Sequence, residues 1–213
     1  MQLTSEELLH HLEQAAIVPI LTMEDGEPAS AVAIADALVD GGASVIEVLF
    51  RNSSAPAALA AIRRRHPDML LAAGTILNGD GARLALETGA DFMISPGFSP
   101  VLHAAAQASG LPLVPGGNTA SEVQCARESG YLVQKFYPAW DHGHHRLAEF
   151  AAIYPDVSFL VTGAIAPASV EDFARHSNVA ALGGTWMSKS ADAATALSVD
   201  RDRFHNIRAE CLA

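Results

Sequence analysis

The chain has 213 residues, half of them hydrophobic and only 6% aromatic, and a formal net charge of −11. That length suits one domain of the larger kind, with a core that must be built from Ala, Val, Leu and Ile. The acidic balance excludes a nucleic-acid surface, which needs clustered Lys and Arg, and no apolar run reaches the roughly 20 residues of a membrane span.

Residues 4–14 open on Thr4-Ser5-Glu6-Glu7, a capping-box pattern, and place Leu8, Leu9 and Leu12 on one helical face. A unit then repeats: a short apolar run, a polar turn, and an Ala-rich helical stretch that stops near Gly. The apolar runs are 15–21, 44–50, 69–75, 90–96, 111–115, 132–137, 157–163 and 179–185. Helices are predicted over 27–39, from Ser53 or Ser54 through Arg64, after Asn78 to before Gly89, and from Ser99 to Ser109. Two more run from the capping box Thr119-Ala120-Ser121-Glu122 to Gly130 and from Pro167 to His176. The dense basic run Arg63-Arg64-Arg65 falls late in a helix, where cations complement the macrodipole, and reads as a solvated helix end. Eight strand–helix units without a linker, and no G-x-G-x-x-G after the first strand, predict a (β/α)₈ TIM barrel with an additional N-terminal helix, one domain over 1–213. Such barrels usually run to about 250 residues, so the loops must be short. Cys125 and Cys211 offer no disulfide framework, and Met1-Gln2-Leu3-Thr4 lacks the regions of a signal peptide. Together these predict a soluble cytoplasmic protein in a reduced compartment.

Some residues sit out of place in such a barrel. The chain holds only two lysines, Lys135 and Lys189, against eleven arginines, yet one of the two interrupts the apolar strand 132–137. Lys135 shares parity with Val133 and Tyr137; parity alone does not choose the inward set, but Phe136 against the helices and Tyr137 at the mouth are consistent with Lys135 inside. A buried ammonium is costly, so the lysine is either half of a structural ion pair, a snorkelling side chain, or an amine nucleophile activated by burial. Glu47 and Arg51 share a face of the second strand, roughly 13 Å apart at about 3.3 Å per residue, too far for a direct bridge. Glu47 is then either a partner for Lys135 or a general acid/base beside it, and Arg51 a clamp for a carboxylate. The turns Thr162-Gly163-Ala164 and Gly183-Gly184-Thr185 end strands seven and eight, where backbone N–H groups commonly bind phosphate. The stretch Asp141-His142-Gly143-His144-His145 is rich in imidazole but has no ligand held by regular structure, so it reads as a solvated loop at the pocket rim. Trp140 and Trp186 read as packing residues or pocket walls.

These motifs, taken in order, resemble the 2-keto-3-deoxy-6-phosphogluconate aldolases, a family that includes 4-hydroxy-2-oxoglutarate aldolase activity. The resemblance runs from about Ile17 to Trp186. It rests on GGASVIEVLFRN (41–52), AAGTIL (72–77), ISPG (94–97), PGGNTASE (115–122), KFYPA (135–139) and GGTW (183–186). It implies a class I aldolase in which Lys135 forms an imine with the substrate ketone and Glu47 shuttles protons through bound water. It assigns the substrate's carboxylate to Arg51 and Thr75, and the pocket wall to Pro96 and Tyr137. It assigns the distal hydroxyls and phosphate to Thr162, Gly163, Gly184 and Thr185. It further implies a small keto-acid substrate, a homotrimer, and neither metal nor other cofactor. The sequence departs from the family pattern at the distal end. Ala164 stands where many members have a second glycine, and Thr22 where many have arginine. Thr185 replaces serine, Tyr137 replaces phenylalanine, and Trp140 with the His-rich stretch replaces a smaller turn. The reaction class is therefore carried by intact residues, while a phosphosugar acid, its galactonate-derived isomer and 4-hydroxy-2-oxoglutarate stay open as substrates. An isomerase barrel would need paired acid/base groups and no lone interior lysine, and a non-catalytic sugar-acid-binding barrel would not need the full Lys135, Glu47 and Arg51 set.

Overall fold

Continuous apolar runs that are buried on both faces form parallel strands, and the Ala-rich stretches between them form the helices that cover those strands. The computed structural model describes residues 3–23, 28–140 and 143–212. Its strands are β1 (Ile17–Thr22), β2 (Val45–Leu49), β3 (Leu70–Gly74), β4 (Phe92–Ile94), β5 (Leu113–Val114), β6 (Gly116–Gly117), β7 (Val133–Phe136), β8 (Ser158–Thr162) and β9 (Val179–Gly184). The helices are α1 (Ser5–Ala15), α2 (Pro28–Asp40), α3 (Ala55–Arg65), α4 (Gly79–Glu87), α5 (Pro100–Ser109), α6 (Ala120–Glu128), α7 (Gly143–Ile153), α8 (Val170–Ala174) and α9 (Ala193–Leu212). All strand pairs are parallel, in the order β5-β4-β3-β2-β1-β9-β8-β7-β6.

The two ends of that order, β5 and β6, are separated in the chain by Pro115 alone. They are halves of one strand. Leu113 and Val114 pair back onto Met93 and Ile94, while Gly116 and Gly117 pair forward onto Lys135 and Phe136. The TIM barrel is thus closed at a seam, and nine strands fill eight positions. The predicted fifth run, 111–115, is corrected to these two short pieces for a physical reason. Pro115 has no N–H to give to a ladder, although its carbonyl accepts from the Lys135 amide at 2.8 Å. Beyond it, a Cβ on Gly116 would lie 2.3 Å from the Pro96 carbonyl group, so only glycine lets the two backbones meet.

Two hydrophobic clusters follow the strand parity. Ile46, Val48, Leu71, Ala73, Phe136, Phe159 and Val161 face the helices. Val18, Val45, Ala72, Ile94, Val114, Val133 and Leu160 fill the lumen together with Leu8, Leu12 and Ala15 of α1. Val133 inside and Phe136 outside place Lys135 in the lumen. The additional helix α1, started by a Thr4–Glu7 capping box, plugs the N-terminal end of the barrel. Access is left at the C-terminal end.

Several local expectations are corrected. The His-rich stretch is not all loop: Gly143, His144 and His145 form the first turn of α7, with the His144 ring stacked on Phe173 at 4.0 Å and bonded to His176 at 3.1 Å. Asp141 and His142 lie outside the described residues. The helix expected from Pro167 is a 3-10 turn followed by the short α8, and the sequence reading did not foresee α9. Ser54 stands at the start of α3 but makes no side-chain cap; Asn52 Oδ1 accepts from the Ala55 amide in its place. Among the described residues no helix is long and apolar enough to cross a membrane.

The basic run on α3 is more than a solvated end. Arg63 donates to the carbonyls of Gly89, Pro67 and Met69 and pairs with Asp91, which also accepts from the Leu71 amide. One guanidinium therefore ties α3 to the turns that lead into β3 and β4. Arg63→Ala strips a cation from these partly buried acceptors, and we expect a stability loss of about 2–3 kcal/mol, read from the denaturant midpoint. A loss below about 0.5 kcal/mol, as for an ordinary surface site, would restore the solvated reading.

Candidate active site

β7 carries Lys135 into a lumen otherwise filled by aliphatic side chains. Glu47, from β2 on the opposite wall, meets it there. Lys135 Nζ lies 3.4 Å from Glu47 Oε1, with the two side chains 6% and 0% exposed. The sequence left a structural pair and a nucleophile–acid pair as alternatives, and one geometry serves both. Stability alone explains it poorly, because the desolvation of two buried charges offsets most of their attraction. Glu47 Oε2 is buried without a partner, so one lone-pair face of the carboxylate is open to a further donor. The Lys135 amine also lies 5.4 Å from the centre of the Tyr137 ring.

The carboxylate is held by what its neighbour lacks. A Cβ on Gly74 of β3 would fall 2.2 Å from Glu47 Oε1, so the oxygen occupies the space of a missing side chain. Next to it, Thr75 has φ 62°, a left-handed conformation that is a genuine outlier for a β-branched residue. From that position its hydroxyl accepts from Arg51 Nε at 3.1 Å. Arg51 stands two residues beyond the end of β2 with its side chain exposed, a cation at the rim and not in the lumen.

A cavity of about 230 Å³ opens over the Lys135–Glu47 pair. Its walls include Thr22, Arg51, Lys135, Tyr137, Thr162, Gly163, Ala164, Gly184 and Thr185. The Thr162 hydroxyl is buried there without a partner, and Gly183 makes room for it: a Cβ at 183 would come within 2.8 Å of Thr162 Cγ2. Gly163 and Ala164 are consecutive left-handed residues, at φ 99° and 54°. Alanine in that region costs roughly 1–2 kcal/mol, so the β8 turn is strained where most of its backbone faces the cavity. Trp186 covers Gly184, since a Cβ there would fall inside its ring, and its Nε1 donates to the buried Asp200 of α9 at 2.9 Å.

A lysine amine beside a carboxylate in a buried, largely aliphatic lumen, with an arginine at the rim, is an arrangement for imine chemistry on a keto acid. Residues 8–201 match the family model described as "Aldolase: KDPG and KHG aldolase". The chain belongs to that family. It is an aldolase, a carbon–carbon lyase. A 2-dehydro-3-deoxy-phosphogluconate aldolase of Treponema pallidum is 40% identical to it over 177 residues, 83% of each chain. The 2-keto-3-deoxy-6-phosphogluconate aldolase of Zymomonas mobilis ZM4, solved with 3-phosphoglycerate, superposes with a TM-score of 0.84 at 30% identity, over 94% of this chain and 96% of that one. The KDPG aldolase of Legionella pneumophila, with pyruvate captured at low pH as a covalent carbinolamine intermediate, gives 0.82 at 29% identity, over 96% and 98%.

In this aldolase the cavity brings together seven of the ten residues named from the sequence: Lys135, Arg51, Tyr137, Thr162, Gly163, Gly184 and Thr185. Glu47 reaches it from below through Lys135, and Thr75 through Arg51. Pro96 does not line it; its carbonyl faces Gly116 at the seam. Trp140, 70% exposed, borders a neighbouring hollow with His144 and His145, which meets the cavity at Gly163 and Ala164, and does not itself line the cavity. Sequence reasoning missed Gly74 and Asp200. Neither bears chemistry itself, and nothing in a linear pattern marks a glycine as the hole for another strand's carboxylate.

Proposed function

We propose that this aldolase cleaves 2-keto-3-deoxy-6-phosphogluconate to pyruvate and glyceraldehyde 3-phosphate through an imine on Lys135. The observation that carries this reading is the buried Lys135–Glu47 contact beneath a cavity whose far end is made of glycine turns. Lys135 Nζ adds to the C2 ketone, and loss of water from the carbinolamine leaves an iminium that withdraws electrons from C3. Glu47 takes the C4 hydroxyl proton through a bridging water, the C3–C4 pair flows toward the iminium nitrogen, and the aldehyde departs. The resulting enamine takes a proton at C3 from the Glu47 carboxylic acid, and water releases pyruvate and the free amine. Arg51 and Thr75 hold the carboxylate, and Tyr137 shapes the pyruvyl end. Thr162, Gly163, Gly184 and Thr185 receive the hydroxyls and the phosphate. Residues 1–213 act as one barrel domain in the cytoplasm, assembled as the homotrimer that the motif resemblance implies.

Thr22 and the strained Ala164 favour a second reading, an aldolase for unphosphorylated 4-hydroxy-2-oxoglutarate, because neither adds a cation or a free glycine amide to the distal end. The two readings part on kcat/KM in buffer free of phosphate and sulfate. We expect the phosphorylated six-carbon acid to be preferred by about tenfold or more, the scale of one charge-assisted contact. Equal values or a reversed order would transfer the function to the short substrate.

A further inference from the structure

A phosphate dianion at the glycine turns needs a counter-charge, and the catalytic cavity provides none at that end. Its cations are Lys135, already paired with Glu47, and Arg51, which is bonded to Thr75 on the far wall. Thr22 sits on the near wall with no charge. On its other side Thr22 borders a second hollow of about 280 Å³, and the cation lining that hollow is Lys189. Among the described residues Lys189 makes no ion pair and no side-chain hydrogen bond, and it is exposed.

The turn after β9 gives this lysine a direction. The Lys189 amide donates to the Thr185 carbonyl at 3.2 Å, an i to i+4 bond that closes one helical turn over residues 185–189. Residues four apart share a face of such a turn, and side chains lean back toward its N-terminal end. Lys189 and Thr185 thus share one face of the turn, where Thr185 lines the catalytic cavity and Lys189 the hollow beside it. Ser188 anchors the same turn by donating to the Ile20 carbonyl at 2.7 Å, so the turn's position relative to β1 and Thr22 is fixed. A four-carbon stem on a fixed turn, with a free ammonium, meets the requirement of a mobile counter-ion.

We infer that Lys189 is the cation that neutralises the substrate phosphate and so sets the preference for a phosphorylated over an unphosphorylated 2-keto-4-hydroxy acid. The inference rests on the phosphosugar reading above. It adds that the counter-charge comes from the β9 turn, through the neighbouring hollow.

The test compares wild type, Lys189→Met and Lys189→Arg on 2-keto-3-deoxy-6-phosphogluconate and on 4-hydroxy-2-oxoglutarate. In Lys189→Met the ratio of the two kcat/KM values should fall about tenfold, through KM of the phosphorylated acid and not through kcat. Lys189→Arg should recover most of the ratio, and added salt should shrink the gap between wild type and Lys189→Met, as for any partly exposed charge. Inorganic phosphate, used as a competitive inhibitor, should bind Lys189→Met more weakly by a similar factor. A wild type that prefers the phosphorylated acid while Lys189→Met keeps the full ratio overturns the role of Lys189 and leaves the substrate reading standing. A wild type with no preference overturns both.

Discussion

Incubated with pyruvate and borohydride, the wild-type aldolase is expected to gain one stable adduct on the Lys135 peptide, and Lys135→Ala to gain none. Turnover in that variant should drop by a factor on the order of 10⁵–10⁶, the scale seen when a covalent nucleophile is removed. Alanine also leaves the Glu47 carboxylate buried without its cation, a change that costs about 3–5 kcal/mol and can unfold a marginal domain. Lys135→Arg separates the two effects. It retains a positive partner for Glu47, and a guanidinium does not deprotonate to a nucleophile. A folded Lys135→Arg protein with no adduct and no cleavage confirms the imine. Trapping at Lys189 in the wild type, or retained cleavage in either variant, removes Lys135 from the mechanism.

Glu47→Gln is expected to keep the fold, to form the pyruvate adduct still, and to lose turnover by roughly 10²–10⁴, the usual range for a lost general acid/base. The amide is nearly isosteric, which matters because Glu47 Oε1 fits a space only 2.2 Å from where a Cβ at Gly74 would stand. Retained trapping with lost cleavage is the discriminating result, since it divides amine addition from proton transfer. Wild-type turnover in Glu47→Gln would pass the proton to another group.

Much of this was readable from order and parity. A lysine in an apolar strand, in a chain that otherwise meets its charge needs with arginine, marks the lumen in the sequence itself, and the opposite faces taken by Val133 and Phe136 resolve its side. What escaped was set by contacts between distant residues. The break at Pro115 depends on two strands on either side, neither of which can be seen from the run 111–115. Arg63 looked like its neighbours Arg64 and Arg65 because rotation around α3, and not residue type, decides which guanidinium reaches the Gly89 carbonyl. α9 spaces its buried positions Ala193, Leu197, Asp200, Phe204 and Ile207 at helical intervals, but a small alanine and an acid among them thin the apolar stripe, so it does not stand out. The cavity's distal end was legible as glycine but not as strain: that Ala164 adopts φ 54° follows from the turn after Gly163, and an alanine carries no mark of it.

The interlock between Gly74 and Glu47 has a consequence for how such a protein can change over generations. Position 74 tolerates no side chain while the carboxylate is in place, and the carboxylate is in place because nothing fills position 74. The two sites on adjacent strands therefore behave as one heritable unit. An alanine arriving first at 74 must displace the acid, while a smaller residue arriving first at 47 leaves a hole that a later alanine can fill. What can stand at either position is therefore set by what stands at the other, although one of the two bears no side chain at all.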